Sequence, residues 1–419
     1  MSNGHQLAYT LRKHEHEVTA LKIVGQEPFP LLISGDRSGL LLVWDLITRR
    51  PITNYTLDSK AQIIHIDSID NYVTVLSKDH YLRFYRMLDE CDAELTIKSE
   101  SSTSTTEYKK KCGLEEVYCI PVNTLNFANV ALQSLSNGLY RLWCCNTQES
   151  ESFDVYTFNV KDIRSLKRQF RAIDLYSILI GATNWDRKAS LEKTGLIMSF
   201  LNVDGVVYVG YESGFVVGLR FIEPAASKPL LAIVHASSVH YPEPVLSLCG
   251  SSDGRSVYSS STTKFVGKHK VDHDYKPNSE SSNVQSNGVT YSQFFSLNNS
   301  TIELGTTEIA HLESLKNSLV ALNWKGQTVV ANEQDSRVIG SKLRSNLVVE
   351  ASNVGSFSAD KRAKIWVKAS SIVCLGSHCV SPNRSLSSGY WKRVSQAAAR
   401  NWTFTGYEDG SIAMQSFEL

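Results

Sequence analysis

The sequence predicts an all-β fold in which similar four-stranded sheets are arranged in a ring. Two observations support this: a tight polar turn followed by an alternating apolar strand recurs seven times, and the copies extend over the whole chain of 419 residues. In the clearest copy, Ser38-Gly39 is followed by apolar residues that end at Trp44. A glycine at such a turn supplies the positive φ that a two-residue hairpin needs. The pattern is typical of a seven-bladed WD40 β-propeller with loop insertions.

The remaining six copies are looser but keep the order of turn and strand. They begin at Asp79-His80, Asn137-Gly138, Ser213-Gly214, Thr263-Lys264, Lys325-Gly326 and Asp409-Gly410. Several gaps between copies exceed the roughly 40–45 residues of one WD40 blade. Residues 1–419 are therefore interpreted as a single propeller whose surplus residues form insertions.

Alternation of apolar and polar residues predicts strands inside most blades. Blade three is expected to begin with a strand at residues 123–127, followed by strands at 130–135 and 139–144. Residues 340–370 are ambiguous, although closure of the ring needs one more strand there. We expect Gln6 to Leu11 to pair as the outer strand of the last blade, which would leave no sheet edge open.

Three stretches are predicted to be insertions. Residues 99–111 are rich in Ser, Thr and Lys, and residues 271–300 in Ser, Asn and Lys, which is typical of solvated loops. The third, residues 161–193, has apolar side chains at near-helical spacing and predicts a short amphipathic helix. That helix would either cap the flank of a blade or dock a partner through its basic side chains. The apolar positions are Ile163, Leu166, Phe170, Ile173 and Leu175.

Blade one contains candidates for the internal hydrogen-bond relay of WD40 proteins, which joins a loop His, a turn Asp, a strand Ser and a Trp. His14, Ser34 and Trp44 match three of these positions, but Ser38 stands where the turn Asp is expected. The sequence therefore predicts a partial relay with a structural role.

Composition excludes several classes of function. The net charge of +1 gives no global field that would attract nucleic acid or an acidic membrane. The eight cysteines show no disulfide framework, and no hydrophobic leader or membrane-length apolar run is present, so we expect a soluble protein of the cytosol or nucleus. We also expect it to be a monomer in isolation. No catalytic or phosphate-binding motif occurs, and Cys374, His378 and Cys379 lack a second pair at zinc spacing. We therefore predict no enzyme, no cofactor and no metal.

Three segments resemble the ASTRA-associated protein 1 family of fungal WD-repeat proteins. They are Ile120-Pro121-Val122-Asn123-Thr124-Leu125-Asn126-Phe127, Lys193-Thr194-Gly195-Leu196-Ile197-Met198 and Val209-Gly210-Tyr211-Glu212-Ser213-Gly214-Phe215-Val216-Val217-Gly218. The closing Gly406-Tyr407-Glu408-Asp409-Gly410-Ser411-Ile412 is similar to the last repeat of that family.

The resemblance implies a nuclear scaffold subunit of the ASTRA complex. Its implied partners are the three-subunit TTT co-chaperone, the paired RuvB-like ATPases and a large kinase-like pseudokinase. The implied work is chromatin regulation and maturation of phosphatidylinositol-3-kinase-related kinases.

Other functions remain open for a WD40 chain. A substrate receptor of a cullin ubiquitin ligase commonly carries Trp-Asp-x-Arg after a third strand, but Trp44-Asp45-Leu46-Ile47 lacks the arginine. A phosphoinositide-binding propeller carries Phe-Arg-Arg-Gly, whereas Arg49-Arg50 is followed by Pro51. A catalytic propeller is a further alternative.

The propeller pattern also nominates a partner-binding surface. Turns between second and third strands open on one face of the ring, around its channel, and Trp, Tyr and Arg are enriched at interface hot spots. The aromatic candidates could instead pack against neighbouring loops. Arg37, Tyr211, Trp324 and Tyr407 are the first candidates, and the other turn residues are Lys78, His80, Asn137, Glu212, Lys325 and Glu408.

Overall fold

The chain forms a seven-bladed β-propeller in the computed structural model. Seven antiparallel four-stranded units follow one another along the sequence, one for each blade. The structure describes residues 8–25, 28–97, 105–176, 179, 193–222, 230–271, 284–286, 289–292, 299–343, 345–346, 365–380 and 388–417.

The closing strand and blades one to three contain the first thirteen strands. These are β1 (Ala8–Arg12), β2 (Val18–Val24), β3 (Leu31–Asp36), β4 (Leu40–Asp45), β5 (Arg50–Thr56), β6 (Ile63–Ile69), β7 (Tyr72–Ser77), β8 (Tyr81–Ile97), β9 (Thr105–Pro121), β10 (Ala131–Ser134), β11 (Leu139–Cys145), β12 (Phe153–Asn159) and β13 (Asp162–Ile173). A single 3₁₀ turn, Ser136–Gly138, joins β10 to β11.

In the described residues, blades four to seven contain the remaining strands and one helix. These are β14 (Ile197–Val203), β15 (Val206–Tyr211), β16 (Val216–Ile222), β17 (Leu230–Ser237), β18 (Ser247–Gly250), β19 (Ser256–Ser260), β20 (Phe265–Lys270), β21 (Val284–Ser286), β22 (Val289–Ser292), β23 (Asn299–Glu303), β24 (Ile309–Leu315), β25 (Ser318–Asn323), β26 (Gln327–Asn332), β27 (Val338–Leu343), β28 (Ser345–Asn346), β29 (Ile365–Trp366), β30 (Ala369–Leu375), α1 (Ser388–Ala398), β31 (Asn401–Tyr407) and β32 (Ser411–Phe417).

Innermost strands of neighbouring blades contact one another and so close the ring. β2 of blade one touches β6 of blade two on one side and β30 of blade seven on the other. β24 likewise touches β18 and β30. Apolar faces of adjacent blades pack together between these strands, and Trp44 of blade one and Trp402 of blade seven are buried in one such cluster. Burial of large apolar side chains between blades is the main source of stability of such a fold.

The two ends of the chain pair with each other, as the sequence predicted. β1 is antiparallel to β32, with Ala8 opposite Gln415 and Arg12 opposite Ser411. The predicted pairing of residues 6–11 is thus confirmed for residues 8–11, while residues 6 and 7 lie outside the described residues. Blade seven is completed by a strand from the amino end, so its third strand has no open edge.

Blade three differs from its prediction by one strand. Residues 123–127 form an irregular loop, and the innermost strand is β10. Polar Asn123 and Asn126 interrupt the apolar alternation in this loop, which disfavours a strand. As a result Gly138 lies in the turn between the first and second strands, where its carbonyl accepts a hydrogen bond from Val160 N.

The predicted helix in residues 161–193 is wrong for residues 162–173, which form β13, the outer strand of blade three. The ladder between β12 and β13 contains three register shifts. Such bulges disturb the period of two, so buried Ile163, Phe170 and Ile173 recur at a spacing that imitates a helix. Residues 177–178 and 180–192 lie outside the described residues.

The two predicted loops also contain strands. Residues 105–111 of the first belong to β9, which pairs with β8 as a ribbon that continues beyond the length of the other strands of blade two. A two-stranded ribbon can be polar on both faces, so its composition resembles that of a loop. In the second, β21 and β22 form a hairpin that lies parallel to β17 at the edge of blade four. Residues 98–104, 272–283, 287–288 and 293–298 lie outside the described residues.

The strand needed in the ambiguous region lies at its very end. β30 begins at Ala369 and is the innermost strand of blade seven, whereas β28 and β29 form only a two-residue ladder. The long connection from β30 to β31 contains α1. None of the helices in the described ranges combines the length and the apolar character needed to cross a membrane.

Candidate partner-binding face

One end of the ring carries the turns between second and third strands, and we call it the turn face. In five blades this turn is tied to the residue that precedes the innermost strand of the same blade. The backbone bonds are Arg37 N to Glu17 O, Lys78 N to Gln62 O, Glu212 N to Leu196 O, Trp324 N to Glu308 O and Glu408 N to Lys368 O. This repeated bond places a turn and a connecting loop side by side in blades one, two, four, six and seven.

The side chain of Arg37 projects from the turn face. It is 70% exposed, and its guanidinium lies 3.8 Å from Glu17. Trp324 occupies the same position in blade six and is 42% exposed. The next residue, Lys325, pairs with Glu308 at 3.3 Å. Exposed ion pairs of this kind contribute little to folding, so these side chains are available for contacts with another molecule.

Glu212 and Glu408 are exposed and use their carboxylates in the same way. Each accepts a hydrogen bond from the backbone N–H of the residue before the innermost strand, Leu196 for Glu212 and Lys368 for Glu408, both at 3.1 Å. One oxygen of each carboxylate is thus directed inward, while the exposed remainder carries negative charge on the turn face.

His80 is exposed and stands where blade one has the turn glycine, with φ of 66°. Its Nδ1 accepts hydrogen bonds from the backbone N–H of Thr124 at 3.1 Å and from the Thr124 hydroxyl at 3.0 Å. The predicted binding residue therefore also fixes the loop that leads into blade three.

Tyr211 and Tyr407 do not lie on the turn face, which corrects their predicted role. Tyr211 is completely buried and Tyr407 is 2% exposed. They are the last residues of β15 and β31, and side chains alternate across a strand, so each points into an interblade core while the following glutamate points outward. The sequence analysis assigned both tyrosines to the turn, whereas each is the last residue of the strand before the turn.

Asn137 lies at the opposite end of its blade, which corrects a second predicted turn residue. β11 runs towards the turn face, because Cys145 at its end contacts Asn126, whose amide donates to the carbonyl of Ile197 at the start of β14. The turn of blade three on this face is therefore residues 146–152. Within it, Ser150 O accepts a hydrogen bond from Ile197 N at 3.1 Å.

The relay of blade one is complete, whereas the sequence predicted a partial one. Trp44 Nε1 donates to Ser34 Oγ at 2.8 Å, and Ser34 Oγ lies 2.7 Å from His14 Nε2. His14 Nδ1 donates to Asp36 at 2.8 Å, so Asp36 takes the role that had been sought at Ser38. Burial opposes ionisation of Asp36, but the hydrogen bonds from His14 and Ser38 outweigh it and lower its pKa. All four relay side chains are buried, which supports the predicted structural role.

A second relay in blade five was missed. Ser259 Oγ lies 2.7 Å from both His240 Nε2 and His269 Nε2, and His269 Nδ1 lies 3.0 Å from His235 Nε2. All three imidazoles are buried. His269 stands five residues after the turn, where blade one has Trp44, and that position was the available signal in the sequence.

Sequence reasoning also missed two apolar side chains on the turn face. Leu125 and Phe127 lie in the loop between blades two and three and are 71% and 61% exposed. The sequence analysis assigned both residues to a strand at 123–127 and did not identify them as exposed loop residues.

The turn face carries exposed charges of both signs with no convergent set of reactive groups among the side chains named above. Within the part of the chain that the structure describes, no three His, Cys, Asp or Glu side chains are arranged to hold a metal ion. Such a surface can bind other proteins through shape, apolar contact and local charge.

Comparison with known proteins identifies the family. The family model of ASTRA-associated protein 1 matches residues 7–415. The chain belongs to this family.

Relatives with that name are similar over nearly their entire length. The chain is 44% identical to ASTRA-associated protein 1 of Lachancea thermotolerans, over 99% of both chains. It is 35% identical to the family member of Kluyveromyces lactis, over 97% of both. For the Saccharomyces cerevisiae family member the identity is 31%, over 97% of this chain and 95% of the relative.

A solved structure supports the fold of this family member. The crystal structure of Saccharomyces cerevisiae Sqt1 matches with a TM-score of 0.55, over 98% of both chains, at 11% sequence identity. At this identity the likeness establishes the propeller fold alone.

Proposed function

We propose that this protein is a non-enzymatic WD-repeat scaffold subunit of the ASTRA complex. The observation that carries the proposal is the family match over residues 7–415, together with relatives named for their association with ASTRA. A propeller with an exposed, mixed-charge turn face is suited to this work, because it offers a broad rigid surface to protein partners.

We further infer a role in chromatin regulation and in the assembly and maturation of phosphatidylinositol-3-kinase-related kinases. The partners in this role are the TTT co-chaperone, the RuvB-like ATPases and a kinase-like pseudokinase. The protein contacts them as a single copy, mainly in the nucleus, and without direct contact to nucleic acid or membrane. The segment similarities at residues 120–127, 193–198, 209–218 and 406–412 support this finer proposal.

Affinity purification of the tagged protein from its native host, followed by mass spectrometry, tests the proposal. TTT subunits, RuvB-like ATPases and the pseudokinase should co-purify in constant ratio, and the tagged protein should be nuclear by microscopy. Depletion of the protein should lower the amounts of the kinases while their transcripts stay constant.

A paired variant separates surface contact from folding. Trp324→Ala removes an exposed aromatic side chain from the turn face, and Leu139→Ala, 41% exposed at the opposite end of blade three, serves as the control. Trp324→Ala should reduce recovery of partners while Leu139→Ala does not. Recovery of a cullin adaptor in place of TTT subunits would contradict the proposal.

A further inference from the structure

The loop between blades two and three presents two apolar side chains to solvent. Ten large apolar side chains are exposed in the described residues, and eight of them are 37–45% exposed. Leu125 at 71% and Phe127 at 61% stand clearly apart. They are two positions apart on one loop of the turn face, so their exposed surfaces are close together. Neighbouring exposed apolar side chains of this kind mark interaction sites.

The loop is held in place by polar contacts from several directions. Asn123 Oδ1 accepts a hydrogen bond from Leu125 N at 2.9 Å, and Asn123 Nδ2 donates to Ser150 Oγ at 2.9 Å. His80 accepts from Thr124, as described above. Asn126 is anchored to blade four through Ile197. The loop therefore exposes its apolar side chains in a fixed geometry, and a partner need not order them on binding.

Lys78 connects this loop to blade two and adds a positive charge. Its ammonium donates to the carbonyls of Thr124 at 2.7 Å and Leu125 at 3.2 Å, and lies 3.6 Å from the centre of the Phe127 ring. These acceptors are carbonyls, which orient the ammonium without neutralising it. Burial lowers the pKa of Lys78.

Among the described residues, no carboxylate forms an ion pair with Lys78. Asp79, the next residue after Lys78, forms two hydrogen bonds to Arg83 at 2.5 and 3.0 Å. The cation in contact with the apolar loop is thus left to attract a carboxylate from outside the chain.

We propose that the loop of residues 122–130, with Lys78 beneath Phe127, is the docking site for an acidic protein segment that carries apolar side chains. Leu125 and Phe127 would bury against the apolar side chains of that segment, and its carboxylates would lie next to Lys78 and His80. This inference rests on the proposed scaffold function and names the chemistry of one partner segment.

Peptide selection on the purified full-length protein tests the site directly. A phage-displayed library of random linear peptides is selected against the immobilised protein, and enriched peptides are synthesised for fluorescence anisotropy. We expect enriched sequences that combine Asp or Glu with Leu, Phe or Trp. The double variant Leu125→Ser with Phe127→Ser should weaken their binding on the order of tenfold or more, as expected for loss of hot-spot side chains.

Matched variants separate the contributions of the site. Val338→Ser with Ile339→Ser, 43% and 45% exposed on β27, removes a comparable apolar pair elsewhere and should leave binding unchanged. Lys78→Gln keeps donor groups but removes the charge, so binding should weaken and lose part of its dependence on salt. Thermal melts establish that each variant is folded. If the double variant unfolds, Leu125→Ser alone gives the same test.

Several outcomes would overturn the proposal. These are the absence of enriched peptides, a basic consensus, and equal binding to the wild type and the double variant. Light scattering that shows a dimer disrupted by the double variant would mean that a second copy of this chain covers the loop. If ASTRA subunits still co-purify in any of these cases, the scaffold function stands and this docking site alone is wrong.

Discussion

Blades one and five build the same kind of relay at the same backbone positions, but only blade one supports it with a carboxylate. In blade one the chain of bonds runs from Trp44 through Ser34 to His14 and ends at Asp36. Asp36 also accepts hydrogen bonds from the backbone N–H groups of Ser38 at 2.8 Å and of Leu40 at 3.0 Å. One buried anion therefore orients the imidazole and the turn together.

In blade five a serine, Ser261, stands at the position of Asp36, and a histidine replaces the tryptophan. Burial lowers the pKa of His240 to about 4 and outweighs the hydrogen bond with Ser259, which raises it. Burial and the neighbouring imidazoles lower the pKa of His269 well below its ordinary value. Neutral imidazoles can supply one proton to each bond of this relay, whereas a buried imidazolium there would lack a counter-charge.

The difference shows that one backbone position supports two solutions with different chemistry. A carboxylate-supported relay joins an aromatic side chain to the turn, while a relay of neutral histidines depends on remaining unprotonated. The two blades should therefore respond differently to truncation and to pH.

The largest expected effect is that of Trp44→Ala in blade one. The substitution removes a large buried side chain and the donor to Ser34, so the free energy of unfolding should fall by about 3–5 kcal/mol. Urea denaturation followed by circular dichroism measures the loss. A loss below about 1 kcal/mol would show that blade one does not depend on its relay.

Acidification should affect blade five next most strongly. Between pH 6.5 and about 4, His240 is protonated in the unfolded chain but stays neutral in the folded protein. Its stabilising contribution is complete above pH 6.5 and is lost as pH falls, and a shift of this size corresponds to roughly 3 kcal/mol.

His240→Gln isolates the contribution of His240 to this pH dependence. Glutamine does not titrate, so the melting temperature of the variant should decline less than that of the wild type over the same pH range. His65 and His311, whose pKa values burial also lowers to about 4, titrate in both proteins and cancel in the comparison. Parallel melting curves at every pH would contradict a titrating relay in blade five.

Removal of the carboxylate should cost less than loss of the tryptophan. Asp36→Ala leaves His14 and two backbone donors without their acceptor, which should lower the free energy of unfolding by about 1–3 kcal/mol. Ser261→Ala, the corresponding change in blade five, should have a smaller effect because it removes a weaker acceptor. Chemical denaturation of both variants under the same conditions measures the difference, and equal losses would remove the distinction between the two relays.

The smallest effect on stability is expected for Arg37→Ala, at the surface next to the relay of blade one. Arg37→Ala should change the free energy of unfolding by less than about 0.5 kcal/mol, because the side chain is exposed and its pairing with Glu17 is long. Recovery of partners in a pull-down should nevertheless fall. A melt that shifts together with the pull-down would assign Arg37 to folding instead of recognition.

Local turn chemistry made much of the ring predictable from the sequence. Gly39 and Gly410 have φ of 82° and 73°, and each lies between the second and third strands as expected. Gly138 has a similar φ of 73° but joins the first and second strands of blade three. A turn motif predicts a hairpin but does not show which two strands of the blade the hairpin contains. The predicted strands of blade three were therefore displaced by one strand.

The candidate site was less predictable because it depends on contacts between blades. Arg37 and Trp324 were found from their turns, whereas Tyr211 was misplaced by one residue, which is enough to exchange surface for core in a strand. The sequence pattern assigned Leu125 and Phe127 to a strand. Their loop is held by contacts of Lys78 and His80 that join residues more than forty positions apart, and such contacts are not visible in a local pattern. Only the folded ring brings these residues together.

The pairing of β1 with β32 also bears on how the protein is made. A ribosome releases the amino end first, so residues 8–12 must wait for almost the whole polypeptide before residues 411–415 emerge to meet them. Blades can form one after another during translation, but the ring closes only when β1 pairs with β32. Until β32 is made, β1 has an unpaired edge that can pair with strands of other chains. Rapid completion of translation therefore protects the nascent chain against aggregation.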